Sequence, residues 1–240
     1  MDIRTVFKKY EDVVTRKAGS EKIFSSSGMV NTSGTLNFGF FPLGSGILSD
    51  SKSQINKASI DEGGIMVLGN DFGTVTYLDS KCKGNRESGG SKTISNLLRL
   101  GLNPESTFFT NFYLGLRDDE THKGTTMTKR IKKLEQDYKD LCYGFFRIQL
   151  EMINAKTVIC LGKDVGHTLS EYSDLFQSFS KKHGTITNLY ADNSKENYII
   201  KTDDGLFGRR EFILIPHPSF AHINWKKNDI ENKIRKAINK

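Results

Sequence analysis

The chain is short of cysteine and proline and has no long apolar run, and each shortage removes a class of protein. Its three cysteines, Cys82, Cys142 and Cys160, lack the spacing of a zinc ribbon or an iron–sulfur site. Cys160 lies inside an apolar, strand-like run, so the thiols read as reduced ones in a cytosolic protein. No stretch of about 18 apolar residues occurs, so no membrane-spanning helix is expected. The amino terminus, MDIRTVFKKYEDVV, is amphipathic and charged, unlike a secretory signal. The expected location is the cytoplasm, or the nucleoid in a bacterial cell.

What the chain has in excess is positive charge. Lys and Arg number 35 against 28 Asp and Glu, for a net charge of +7 and a pI near 9.2. Such a surface field favours a polyanion, and nucleic acid is the commonest partner for that balance. A chain of 240 residues can bury one substantial core, and nothing in its composition marks a second domain. One domain over residues 1–240 is expected, with a less regular region over 1–60.

Periodicity supplies the fold class. Ile3, Val6, Phe7, Tyr10, Val13 and Val14 recur at helical spacing, whereas 19–60 is rich in Ser and Gly and carries the aromatic stretch Phe38 to Phe41. Four short apolar runs follow: IMVLG at 65–69, TFFTN at 107–111, TVICLG at 157–162 and FILIP at 212–216. Between them lie helix-compatible stretches, one over 92–100 that Gly101 terminates and one over 129–155. Apolar runs alternating with helices predict an α/β domain of three αβα layers around a mainly parallel four-stranded sheet. The polar stretch 181–211 suggests a hairpin with Asp203-Asp204-Gly205 as its turn, and Lys226 to Lys240 a basic terminal helix.

The polar residues that close these runs carry the chemistry. Two of only four prolines bracket His217, at the end of the last apolar run. Each proline fixes its own φ and turns the residue before it away from helix, so the imidazole leaves the strand with few backbone options. The first run opens into Asn70-Asp71-Phe72-Gly73-Thr74, the second ends in Asn111, and the third in Gly162-Lys163. In parallel sheets ligands gather beyond the carboxyl ends of the strands, so Asp71, Asn111 and His217 are expected to share one crevice.

Taken in order, GNDFG after the first run, FFTN after the second, VICLGK after the third and HPS after the last resemble the uracil-DNA glycosylase superfamily. The likeness spans about residues 63 to 225, and HPS with its preceding strand is its most specific piece. The resemblance implies excision of a flipped-out base from DNA, with no metal and no cofactor. Breaking a base–sugar bond leaves an oxocarbenium-like sugar and an anionic base, so the site needs a carboxylate or oriented water near the sugar and donors aimed at the base. By the resemblance, Asp71 would orient the water and stabilise the cation, and His217 would donate a hydrogen bond to the pyrimidine O2. Asn111 would read the N3 and O4 edge, with Asn70, Phe72 and Gly73 lining the base pocket. Ser219, Phe220, His222 and Lys163 would contact the DNA.

The chain departs from that pattern in ways that bear on substrate. Gly73 stands where the uracil-strict branch has a tyrosine that blocks a C5 substituent, so thymine-like or enlarged pyrimidines, including phage-hypermodified ones, come into range. Lys83 and Gly84 occupy the place of the usual stacking Phe, leaving Phe72, Tyr77 or an aromatic from Phe38 to Phe41 to provide the stack. Phe220 replaces a proline and Ala221 a bulky wedge, a part for which His222 or Trp225 could substitute. Two other readings stay open. One is a metal-dependent nuclease using Asp71 with Asp79, Asp118, Asp119 or Glu120; the other is a member of the same fold that binds a modified base in DNA without excising it.

Overall fold

The computed structural model describes residues 5–6, 8–9, 12–13, 20–30, 62–71, 73–76, 89–103, 106–118, 134–180, 185–191 and 195–239. Its strands are β1 (Met29–Val30), β2 (Ile65–Gly69), β3 (Phe108–Asn111), β4 (Leu116–Arg117), β5 (Thr157–Leu161), β6 (Ile199–Asp204) and β7 (Gly208–Ile215). Its α-helices are α1 (Ser20–Ser26), α2 (Gly89–Arg99), α3 (Gln136–Ile153), α4 (Lys163–Tyr172), α5 (Ile186–Leu189), α6 (Ala221–Asn224) and α7 (Ile230–Ile238). The main sheet has five strands in the order β3-β2-β5-β7-β6. The first four run parallel, and β6 is antiparallel to β7 at the edge.

The parallel strands are apolar on both faces because both faces are covered by helices. Met66, Leu68, Phe108, Val158, Cys160, Phe212 and Leu214 point to one side, where α3 presents Tyr138, Leu141, Cys142, Phe145, Phe146 and Leu150. Val67, Phe109, Ile159, Leu161, Ile213 and Ile215 point to the other, against Leu97 of α2, Trp225, and Ile230 and Ile234 of α7. The alternation follows from the two-residue repeat of a strand. This arrangement is consistent with three αβα layers. No helix among the described residues is long and apolar enough to cross a membrane.

The four expected strands are present at β2, β3, β5 and β7, but the sheet has a fifth. The residues around Asp203 form strand as well as turn: β6 extends to Asp204, and the reversal falls on Gly205, Leu206 and Phe207. Asp204 Oδ1 accepts from the N–H groups of Leu206 (2.9 Å) and Phe207 (2.7 Å), the local cap that makes aspartate a turn former. Polar cross-strand partners, Lys201 with Glu211 and Asp203 with Arg209, hide this edge strand from a search for apolar runs. The terminal helix is also shorter than expected, because Asn228 and Asp229 adopt left-handed φ values of 51° and 55° before it starts. Helix α2 ends as foreseen, with Gly101 at φ +95° and its N–H on Leu98 O at 2.9 Å. Thr5, Val6, Lys8, Lys9, Asp12 and Val13 are helical, with Val6 buried. The aromatic stretch Phe38 to Phe41 lies outside the described residues.

Candidate active site

The carboxyl ends of the four parallel strands bring Asn70-Asp71, Asn111, Gly162-Lys163 and His217 to one edge of the sheet. Adjacent strands lie about 4.8 Å apart, so β2 and β7, separated by β5, end roughly 10 Å from one another.

Asp71 is held by backbone and by charge. Beyond β2 the chain stays bonded to the continuation of β3, with Phe112 N–H on Gly69 O and Tyr113 N–H on Asn70 O, each at 2.9 Å. The aspartate then caps its own turn, its Oδ1 accepting from Gly73 N–H at 2.8 Å. Gly73 has φ +95°, a conformation that a side chain would strain, which explains the glycine. The same Oδ1 accepts from Arg117 Nε at 3.2 Å, and these two side chains are only 10% and 16% exposed. The other oxygen, Oδ2, receives a longer contact of 3.4 Å from Asn70 Nδ2. Asn70 Oδ1 is buried with no hydrogen-bond partner among the described residues.

Asn111 ends β3 and is 4% exposed. Its register partner on β2 is Gly69, and its amide folds across that residue: a Cβ placed on Gly69 would stand 2.1 Å from Asn111 Oδ1. The glycine therefore makes room for the Asn111 amide, which lies across the end of β2. Beneath it, Thr110 Oγ1 donates to Gln149 Oε1 of α3 at 2.6 Å in a fully buried pair.

His217 is fixed from both flanks. Pro216 O accepts from Trp225 Nε1 at 3.0 Å, and Pro218 O accepts from Asn96 Nδ2 of α2 at 2.8 Å. Its Nδ1 lies 2.7 Å from Ser219 Oγ and accepts from Ser219 N–H at 3.3 Å. A backbone N–H can only donate, so Nδ1 carries the lone pair and the proton of the neutral ring sits on Nε2. Although the residue is exposed on one side, the protein packed around the ring pushes its pKa below 6.5 by desolvation, with the charges of Asp164 and Asp71 opposing. The imidazole is thus a neutral donor near neutral pH and lies within the field of Asp71. Gly162, at φ +85°, lets the β5 end pass close beneath it; a Cβ there would lie 3.3 Å from His217 Cβ.

Most of the residues singled out from the sequence meet at this edge. Lys163 opens α4 directly after Gly162. Ser219 contacts the imidazole itself, while Phe220 and His222 lie exposed just beyond it. Trp225 is 1% exposed and packs against the sheet, so it is unable to act as a wedge. Phe72, Tyr77, Lys83 and Gly84 lie outside the described residues, as do Asp79, Asp119 and Glu120. Cys160 is fully buried and its thiol pKa is pushed up by burial, so it forms no nucleophilic pair with His217.

Sequence reading missed Arg117, Asn96 and Ile223. Arg117 and Asn96 come from segments with no motif, and only the fold carries them to the Asp71 and His217 loops. Ile223 is 51% exposed beside Phe220 at 56%, an apolar tip on the His217 side of the edge. A separate cleft of about 600 Å³, lined by Lys156, Lys201, Arg209, Arg210 and Glu211 among others, opens at the opposite, amino-terminal edge of the sheet. No protein-family model matches the chain, and no curated protein matches it either.

Proposed function

We propose that the chain is a monofunctional DNA glycosylase of the uracil-DNA glycosylase superfamily, acting on uracil or a modified, C5-substituted pyrimidine. The observation that carries this reading is that a held carboxylate, a buried amide and an imidazole fixed between two prolines stand along the carboxyl edge of one parallel sheet. The basic surface, with a net charge of +7, suits a DNA partner.

In the proposed reaction a flipped-out base occupies the gap between Asn111 and His217, with its sugar toward Asp71. As the C1′–N1 bond breaks, its electron pair moves onto the base. His217 Nε2–H then donates to the pyrimidine O2, where negative charge develops, and removing one such donor costs roughly 10²–10³ in rate. Asp71 Oδ2 accepts a hydrogen bond from the attacking water, whose oxygen bonds to C1′. The proton that this water shares with Oδ2 leaves through the carboxylate to solvent while the other stays on the new C1′ hydroxyl. The anionic base takes up a proton from solvent at N1, and the products are the neutral free base and an abasic site. Asn111 presents its amide to the N3 and O4 edge.

Extruding a base costs a few kcal/mol, which phosphate contacts and an apolar plug in the vacated stack offset. Lys163 and His222 suit the phosphates, and Phe220 with Ile223 suits the plug. Ser219 serves this scheme by orienting His217, since its hydroxyl and N–H both meet Nδ1.

The test is formation of abasic sites, scored by alkaline strand cleavage, with EDTA present. Substrates are oligonucleotides carrying uracil, hydroxymethyluracil, hypoxanthine or glucosylated hydroxymethylcytosine. Asp71→Asn and His217→Ala are each expected to lower the rate at least 10²-fold; full activity in both would remove the residue assignment. One observation favours a second reading. The Arg117 charge lies directly against Asp71, as it could in a protein that binds a modified base without excising it. Tight binding to one member of the panel with no abasic product would decide for that reading.

A further inference from the structure

We infer that Arg117 is the positioning residue for Asp71, turning a freely rotating carboxylate into one with a single oxygen presented to the attacking water. The inference rests on the glycosylase reading and deepens it.

Arg117 grips the 71–73 loop at two points. Its N–H donates to Gly73 O at 2.9 Å, and its Nε donates to Asp71 Oδ1 at 3.2 Å. The aspartate closes the ring by accepting Gly73 N–H on the same oxygen at 2.8 Å. The arginine is itself braced from behind. Its strand β4 pairs with β1, Met29 opposite Arg117, and Asp118 N–H donates to Gly28 O at 2.9 Å. The small β1–β4 sheet thus joins the amino-terminal segment to the carboxylate.

The physical need is specific. The last torsion of an aspartate is broad and roughly two-fold, so an untethered carboxylate presents either oxygen over a wide arc. Two donors on Oδ1 remove that freedom and leave Oδ2, among the described residues, with only the 3.4 Å contact from Asn70. Both side chains are largely shielded from water, at 10% and 16% exposure, so this pair is not of the solvent-screened kind that contributes little. The cost is electrostatic. A guanidinium beside the carboxylate weakens the negative field that the developing sugar cation feels, so Asp71 works chiefly by aligning water. Arg117 touches neither base nor sugar in this scheme and acts only through Asp71.

The experiment is a double-mutant cycle in the full-length protein under single-turnover conditions, on whichever oligonucleotide of the panel wild type excises. Arg117→Ala is expected to lower the excision rate about 10- to 100-fold, in line with the penalty for a 1 Å misplacement of a catalytic group. DNA affinity should change less than 3-fold, and millimolar guanidinium should restore part of the rate. Arg117→Lys, which keeps one donor, should fall between wild type and Arg117→Ala, and it serves as the test if the alanine variant does not fold. In the Asp71→Asn background Arg117→Ala should cause no further loss. An Arg117→Ala rate within twofold of wild type overturns the inference, and so does a loss that persists undiminished in the Asp71→Asn background. Absence of excision by wild type on the whole panel overturns the parent reading instead, and this one with it.

Discussion

Adding one methyl group at Gly69 tests the base-reading role of Asn111 without touching Asn111. The new Cβ would stand 2.1 Å from Asn111 Oδ1 and 3.2 Å from its Cγ, whereas ordinary contact begins at 3.4 Å. The amide oxygen must therefore retreat by more than 1 Å, and it can, being the far end of a side chain. Gly69 is not among the positive-φ residues, so alanine meets no backbone strain there. Two small terms then oppose each other in stability. Glycine inside a strand is about 0.5–1 kcal/mol worse than alanine, while an amide forced off its rotamer costs about 0.5–1.5 kcal/mol. The net is within about 1 kcal/mol, or roughly 2–4 °C in Tm for a chain of this size. Recognition has no such compensation. A two-point amide-to-base contact contributes about 1–3 kcal/mol of discrimination, so its loss lowers excision of the preferred base roughly 5- to 150-fold. The assay is single-turnover excision alongside thermal unfolding of Gly69→Ala, Asn111→Ala and the double variant. The double variant should be no slower than Asn111→Ala, because the methyl acts only by displacing that amide. Gly69→Ala excising within twofold of wild type at unchanged Tm would refute the reasoning.

Three further outcomes are expected. Because the His217 pKa is lowered in the folded protein, the neutral ring persists below pH 6.5, and the acid limb of the excision rate lies below that value; His217→Gln should flatten it. The linked stability has the same sign: the unfolded chain takes up this proton first, so the contribution is complete above pH 6.5 and declines as pH falls through it, readable as a Tm difference between wild type and His217→Gln. Gly162→Ala should lower Tm by several degrees, since a side chain at φ +85° and ψ 167° costs about 1–3 kcal/mol, and should slow excision by crowding His217. Phe220→Ser with Ile223→Ser should reduce excision from duplex DNA more than from single strands, where no stack needs to be plugged; equal losses on both would remove the plug assignment.

Much of this architecture is legible in the chain itself. Each parallel strand is a run of apolar residues because both its faces are buried, and each run ends in a polar residue because the sheet ends there. His217 is conspicuous for its two prolines and Asp71 for standing just past the end of an apolar run, signals written into a few consecutive residues. The edge strand β6 was less legible, because one of its faces is solvated and its charges pair across to β7. Arg117 and Asn96 had no local signal at all. An arginine closing a two-residue strand and an asparagine within a helix look like surface residues. Their part at the site comes from contacts 46 residues away in one case and 122 in the other. Short-range propensity, burial and turn chemistry are properties of a few consecutive residues and can be read from them. The direction of a guanidinium, the desolvation of an imidazole and the space above a glycine depend on which distant segments pack together, and the tertiary structure alone decides them.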